Sequence, residues 1–332
     1  MTTTLRHPDG LVHVIDFPDG RKKLAVAITT NTLFSPRLDC VTSYPLPLIE
    51  LILKVKGPAY LCDEILREED PGYVRADLER DLFAYVDPQA YDGKRVLDFG
   101  CGSGASTLVL ARMFPHSEIV GIELFEDLLS VARKRVETFG LSQVQLFKSP
   151  SALGIPDQLG GFDAIILSAV YEHLLPDERQ IIMPLLWKSL KPDGILFLNL
   201  TPHRYFPFEH HTTGFPLINY LPDRVTLEIV RHFSRRADRT TNWETLLRRG
   251  IRGGTEQEIL GILSKAGTGE PSLLEPSRNG LRDRIDLWFS ALAPGRYRAF
   301  KLTIRGLLKL FKQASGIILV PNLSLAIRKL PD

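Results

Sequence analysis

The chain is 332 residues long, 44% hydrophobic and 24% charged, with 41 Lys and Arg against 39 Asp and Glu for a net charge of +2. That length and apolar content suffice for a sizeable core, and so balanced a charge gives no electrostatic footprint for nucleic acid. No run approaches the roughly eighteen apolar residues of a membrane-spanning helix, the opening MTTTLRHPDG lacks the apolar centre of a secretory signal, and the three cysteines (Cys40, Cys62, Cys101) show neither metal spacing nor an even number.

A cytoplasmic enzyme is therefore expected. Residues 1–43 are predicted to form a β-rich extension, in which VHVIDF and KLAVAITT read as strands across the turn signal PDG. Residues 44–92 turn helical: LIELILKV is followed by DLERDLFAYV, with apolar positions at Leu78, Leu82, Phe83 and Val86. From Lys94 to about Thr201 strand and helix patterns alternate, which predicts an α/β fold with a parallel sheet covered on both faces.

The core opens with VLDFGCGSG, Val96 to Gly104, an apolar strand running into a loop with glycines at Gly100, Gly102 and Gly104. Glycine permits positive φ and removes the Cβ that would hold a ligand away from the backbone. Gly100, Gly102 and Ala105 satisfy the relaxed dinucleotide spacing, and Glu123 stands at the distance expected of a ribose-binding acid. A pyrophosphate, however, needs a positive helix N-terminus without a nearby anion, and Asp98 places a carboxylate two residues before the first glycine. An anion there suits a ligand with an ammonium and a sulfonium and no phosphate, namely S-adenosylmethionine (SAM).

Taken with the motifs that follow, the segment from about Lys94 to Pro202 resembles the class I SAM-dependent methyltransferases. EIVGIEL (Glu118 to Leu124) is a second strand ending in Glu123, GFDAIILSAVYEHL (Gly161 to Leu174) resembles the family's fourth strand, and LKPDGILFLNLTP (Leu190 to Pro202) its fifth. The resemblance implies a Rossmann-like, mostly parallel seven-stranded sheet with helices on both faces, and a SAM-binding core over residues 93–222. It also implies that Asp98, Gly100, Cys101, Gly102, Gly104, Glu123, Leu124, Ser149, Ser151, Ser168 and Tyr171 line the cofactor, with S-adenosylhomocysteine as product. One departure stands at the end of the third strand, VQLFKSPSAL. Ser149 and Ser151 replace the acid that receives the adenine amino group in many relatives, and a serine hydroxyl is able to accept that bond.

Strand ends of such sheets collect the ligands, and Asp98, Glu123, Ser149 and the run Ser168 to His173 all fall there. In these methyltransferases the helical segment before the first strand often covers the cofactor, so Tyr60, Tyr73 and Arg75 either reach it or serve the surface. After the fifth strand comes PHRYFPFEHHTTGFPLINYL, which holds His203, Arg204, Tyr205, Glu209, His210 and His211. Methyl transfer needs mainly alignment, and a base helps if the acceptor is a hydroxyl. His173 is the first candidate base, against a packing role at the strand end; His210 and His211 are the second. Tyr171 either borders the ligand or belongs to the core. The three histidines with Glu209 match no standard metal spacing, so no metal is expected.

Residues 223–332 read as a helical substrate or cover region whose last stretch, IILVPNLSLAIRKL, resembles the family's closing antiparallel strand. Within it RYRAFKLTIRGLLKLFK (Arg296 to Lys312) has apolar residues at Phe300, Ile304, Leu307, Leu308 and Phe311 and cations at Arg298, Lys301, Arg305, Lys309 and Lys312. Such a helix either lies peripherally on an anionic membrane or docks on the sheet with a solvated basic face. The first reading suggests a glycan or lipid-linked acceptor, the second a soluble small molecule; the hydroxyl is the expected acceptor group in each, and nitrogen or carbon less so. Two other classes fit parts of the sequence: an NAD-binding oxidoreductase, and a non-catalytic interaction module that retains the SAM fold.

Overall fold

The computed structural model describes residues 2–30, 32, 35–157, 159–292, 295 and 297–332. In chain order it contains β1 (Thr2–His7), β2 (Gly10–Asp16), β3 (Lys22–Ile28), β4 (Asp39–Thr42), α1 (Leu46–Lys56), α2 (Pro58–Glu69), α3 (Ala76–Phe83), β5 (Arg95–Phe99), α4 (Ala105–Met113), β6 (Glu118–Glu123), α5 (Glu126–Phe139), β7 (Val144–Lys148), β8 (Phe162–Ser168), α6 (Pro176–Ser189) and β9 (Leu190–Pro202). It continues through β10 (Phe208–Glu209), β11 (Phe215–Pro216), α7 (Asp223–Phe233), α8 (Trp243–Arg248), α9 (Glu256–Ser264), β12 (Pro271–Leu273), α10 (Arg284–Ser290), α11 (Arg298–Ser315) and β13 (Asn322–Lys329). The strand order β12-β13-β9-β8-β5-β6-β7 makes the expected seven-stranded, mostly parallel Rossmann-like sheet. The chain divides into two compact units, residues 1–77 with 101–149 and residues 78–100 with 150–332.

In the first unit β1 to β4 form an antiparallel meander. Of these four, β2 and β3 carry a strand pattern in the sequence; β1 is built from the threonine-rich TTTLRH, whose alternate residues are only half-buried. The inner face of the meander packs Val12, Val14 and Leu24 against Leu48, Ile52, Leu61 and Ile65 of α1 and α2, and Val131 of α5 joins them. This cluster supplies an apolar interior of the unit's own, at roughly 1.5–3 kcal/mol for each large side chain buried. The parallel pair β6 and β7 runs from Ile119 opposite Val144 to Glu123 opposite Lys148, which brings the acid to the strand's carboxyl end.

In the second unit β5 pairs in parallel with β8 and β8 with β9, and the closing strand β13 pairs antiparallel with β9, as its sequence implied. All five residues of β8 from Ala164 to Ser168 except the last are buried, the mark of a strand covered on both faces. A smaller apolar cluster, Ile218, Val230, Leu246 and Ile251, holds the region after β11 to α7 and α8. Buried Arg252 knits it further by donating to the Asn219 and Leu221 carbonyls, each at 2.8 Å, and to Asp223 at 2.6 Å.

The basic amphipathic stretch is helical from Arg298 onward, while Arg296 lies outside the described residues. Its polarity is the reverse of an ordinary docked helix. Arg305 and Lys309 bind Asp286 at 2.6 and 2.7 Å, and Lys312 binds Asp283 at 3.1 Å, so three of its cations face α10. Phe300 and Leu307 are 64% and 60% exposed, with Leu310 and Phe311 beside them in solvent. Among the described residues no helix is long and apolar enough to cross a membrane.

His203, just past β9, is buried, and its Nδ1 accepts the Tyr205 amide at 3.1 Å. Burial pushes its pKa down from 6.5 to about 4. Between these values the unfolded chain binds a proton that the folded chain refuses, so stability falls as pH drops from about 6.5 to about 4. At pH 5 this group should cost about 2 kcal/mol relative to pH 7. Urea titrations of wild type and His203→Gln at both pH values check this. The wild type should lose about that much more than the variant, and equal losses would refute it.

Candidate functional site

Each unit carries part of the expected site and is considered by itself. In the first, the chain leaves the glycine loop into α4 at Gly104, whose φ of +87° and close approach to α5 both demand glycine: a Cβ would fall 2.8 Å from that of Ala132. Glu123, 7% exposed, closes the loop from the end of β6. Its Oε2 accepts the Gly102 amide at 2.9 Å and its Oε1 accepts the Leu124 and Phe125 amides at 2.8 and 2.9 Å. The Cys101 amide donates to the Ile122 carbonyl at 3.0 Å and that of Ser149 to the Glu123 carbonyl at 2.8 Å. Gly102 and Leu124 are thus gathered on the Glu123 carboxylate, and Cys101 and Ser149 on the backbone at the end of the same strand.

Arg135 supports this loop from below. It lies in α5, its side chain wholly buried, and donates to the Ser103 carbonyl at 2.9 Å, the Glu64 carbonyl at 2.7 Å and the Glu64 carboxylate at 3.0 Å. Burial alone would raise the Glu64 carboxyl, but the Arg135 guanidinium together with the Lys56 ammonium and the Ser103 hydroxyl outweighs it and holds the group below its ordinary value. The sequence offered no signal for Arg135, which sits in the charged run ARKRVE. Of the helical residues expected near the ligand, Tyr60 and Tyr73 border a surface pocket that Arg37, Asp63 and Asp70 also line.

In the second unit Asp98 is buried near the end of β5, level with Ile166 of β8. Gly100 has φ +73°, and a Cβ on it would come 2.8 Å from the Val170 side chain, so the β5 loop and the segment after β8 meet there. Ser168 ends β8 beside Asn199. Ser151 is exposed and accepts the Leu153 amide at 3.2 Å. Tyr171, expected either to border the ligand or to belong to the core, is fully buried; its hydroxyl donates to Glu258 at 2.9 Å, and Arg179 lies 4.4 Å from its ring centre. It packs the strand end.

Of the three histidines considered as bases, the structure brings two together. His173 and His211 have ring centres 5.7 Å apart, and the buried carboxylate of Glu172, which sequence reasoning passed over, lies between them. Its Oε1 is 3.8 Å from His173 Nε2 and 3.9 Å from His211 Nε2. His210 is outside this cluster; its carbonyl accepts from Arg236 at 3.0 Å. Glu209 is also spoken for, since its carboxylate accepts the Thr212 amide at 2.8 Å and the Thr213 amide and hydroxyl, each at 2.6 Å. That tight turn is what aims His211. The dipeptide Glu172-His173 was the one available signal for Glu172, but only the fold of residues 203–221 shows that a second imidazole reaches it.

Residues 96–194 match the family model described as a methyltransferase domain. The chain is 34% identical over 116 residues to a trans-aconitate 2-methyltransferase of Variovorax paradoxus, covering 35% of this chain and 42% of that one. It is 30% identical over 149 residues to a fatty-acid O-methyltransferase of Mycolicibacterium smegmatis, covering 44% of this chain and 52% of that one. Among solved structures, an O-methyltransferase family protein from Burkholderia thailandensis aligns with 82% of this chain and 60% of its own at 12% identity, with a TM-score of 0.46. The chain spans about half, or less, of the curated relatives it matches.

Proposed function

We propose, starting from the class I SAM-dependent methyltransferase domain that residues 96–194 form, that this chain transfers the methyl group of SAM to a hydroxyl of a lipid or lipid-linked acceptor. The glycine loop fits such a cofactor. Glu123 Oε2 accepts one amide and keeps a lone pair for a ribose hydroxyl, and over Gly102 a Cβ would meet nothing within 4 Å, which leaves the backbone open to a ligand. Glu123, with the amides around it, would hold the ribose, and Asp98 is the acid assigned to the ammonium. When bound, SAM supplies a methyl on a positive sulfur, and transfer leaves neutral S-adenosylhomocysteine.

The rest falls to this chain. Alignment of acceptor oxygen and methyl is the main requirement, and the observation that carries the hydroxyl reading is the cluster of Glu172 and His173, just beyond β8, with His211. Glu172 and His173 lie on the same segment that contacts Gly100 through Val170, and His211 reaches them from the stretch after β10. The exposed apolar side of α11 supports a lipid environment for the acceptor, and one relative's name ties it to fatty acids.

The test is incubation of the protein with methyl-labelled SAM and a cell extract, followed by partition. Label is expected in the organic phase, and reduced at limiting SAM with Glu123→Ala. Label confined to small aqueous molecules would overturn the lipid acceptor and leave the methyltransferase standing. No transfer from a protein that binds S-adenosylhomocysteine would overturn the activity itself.

A further inference from the structure

We infer that Glu172, His173 and His211 form a binding site for one divalent transition-metal ion of the zinc type. His173 Nδ1 lies 2.7 Å from the Arg248 carbonyl and His211 Nδ1 lies 3.0 Å from the Arg249 carbonyl. A carbonyl only accepts, so each Nδ1 carries the hydrogen, and in the neutral form of each ring the Nε2 near Glu172 is the lone-pair nitrogen. Glu172 is buried to 0% side-chain exposure. Its Oε2 accepts the Thr201 hydroxyl at 3.0 Å, while Oε1 has no hydrogen-bond partner. Three lone-pair atoms therefore converge within 4.8 Å of one another with no hydrogen among them.

A buried carboxylate oxygen without a partner is costly, and the distances of 3.8 and 3.9 Å are too long for an imidazolium to satisfy it by hydrogen bonding. A cation between the three atoms satisfies all of them. Zinc holds nitrogen and oxygen ligands at about 2.0–2.2 Å, which places neighbouring ligand atoms about 3.3 Å apart. Glu172 Oε1 would have to close on each imidazole nitrogen by about half an ångström, and the most widely spaced pair of the three atoms by up to about 1.5 Å. The two Nδ1 to carbonyl bonds are the outer-shell arrangement that fixes metal-ligating imidazoles in the right tautomer.

The set of one carboxylate and two imidazoles suits zinc and its neighbours rather than magnesium or calcium. His173 and His211 are partly exposed, so the remaining coordination positions open outward. The role follows from the methyltransferase reading and rests on it. An acceptor hydroxyl that coordinates the ion is acidified, its proton leaves to water, and its oxygen attacks the methyl carbon as the carbon–sulfur bond breaks with its electron pair on sulfur.

Untagged full-length protein, freed of metal with a chelator and titrated with zinc chloride by calorimetry, should bind one equivalent. Glu172→Gln and His211→Ala should each weaken that binding by at least about tenfold, and His232→Ala, an exposed histidine elsewhere, should not. Titration with S-adenosylhomocysteine in the same samples reports folding and the glycine loop independently. Unaltered zinc affinity in both variants, or no zinc binding by a wild type that binds S-adenosylhomocysteine, overturns the site. Zinc binding without S-adenosylhomocysteine binding would instead overturn the methyltransferase reading and keep the metal.

Discussion

Replacing Arg135 by alanine is expected to destabilise the protein by about 3–5 kcal/mol, the cost of leaving a buried charge without its partner. Glu64 is itself buried and loses the guanidinium that holds it ionised, while the carbonyls of Ser103 and Glu64 lose donors at 2.9 and 2.7 Å. Because Ser103 belongs to the glycine loop, the loss reaches the ligand site as well as the fold. Urea unfolding followed by circular dichroism measures the first effect, and calorimetry with S-adenosylhomocysteine the second. The double variant Arg135→Met with Glu64→Gln removes both charges and should recover much of the stability, since exchanging a whole buried pair is far cheaper than breaking it. A loss below about 1 kcal/mol for Arg135→Ala, the size of an exposed pair, would show that the pair is not buried in solution.

Glu123→Ala should weaken both cofactor binding and folding. Three backbone amides lose a charged acceptor, and the proposed ribose contact goes with them. Hydrogen bonds to a charged group are worth about 1.5–3 kcal/mol, so S-adenosylhomocysteine affinity should fall between about tenfold and a hundredfold. Glu123→Gln keeps the size and an acceptor oxygen but not the charge, and should fall between wild type and alanine. Wild-type affinity in the alanine variant would remove Glu123 from the cofactor site.

Much of this architecture is legible in the amino-acid sequence. Alternating elements, the apolar β5 with Asp98 before three glycines, and an acid at the end of β6 rest on local rules, because strand period, glycine conformation and strand-end acids act over a few residues. The closing strand β13 is readable only through the family resemblance of IILVPNLSLAIRKL. β1 and β4 are not readable, since β1 is threonine-rich and β4 is only four residues long, and neither declares a buried face on its own.

Sequence suffices for the fold class, the cofactor loop and the acid that closes it, because those features are contiguous and their chemistry is set by backbone conformation and charge. Packing settles which distant side chains meet. His210 and His211 are neighbours with equal claims until Glu209 binds the turn at Thr212 and Thr213 and leaves only His211 facing Glu172. Arg135 is one cation among several in α5 until packing buries it under the glycine loop, and α11 is amphipathic by sequence, yet Asp283 and Asp286 of another segment choose which side faces solvent. Pattern reports that a helix or loop has a polar side; only the groups packed against it decide what that side does.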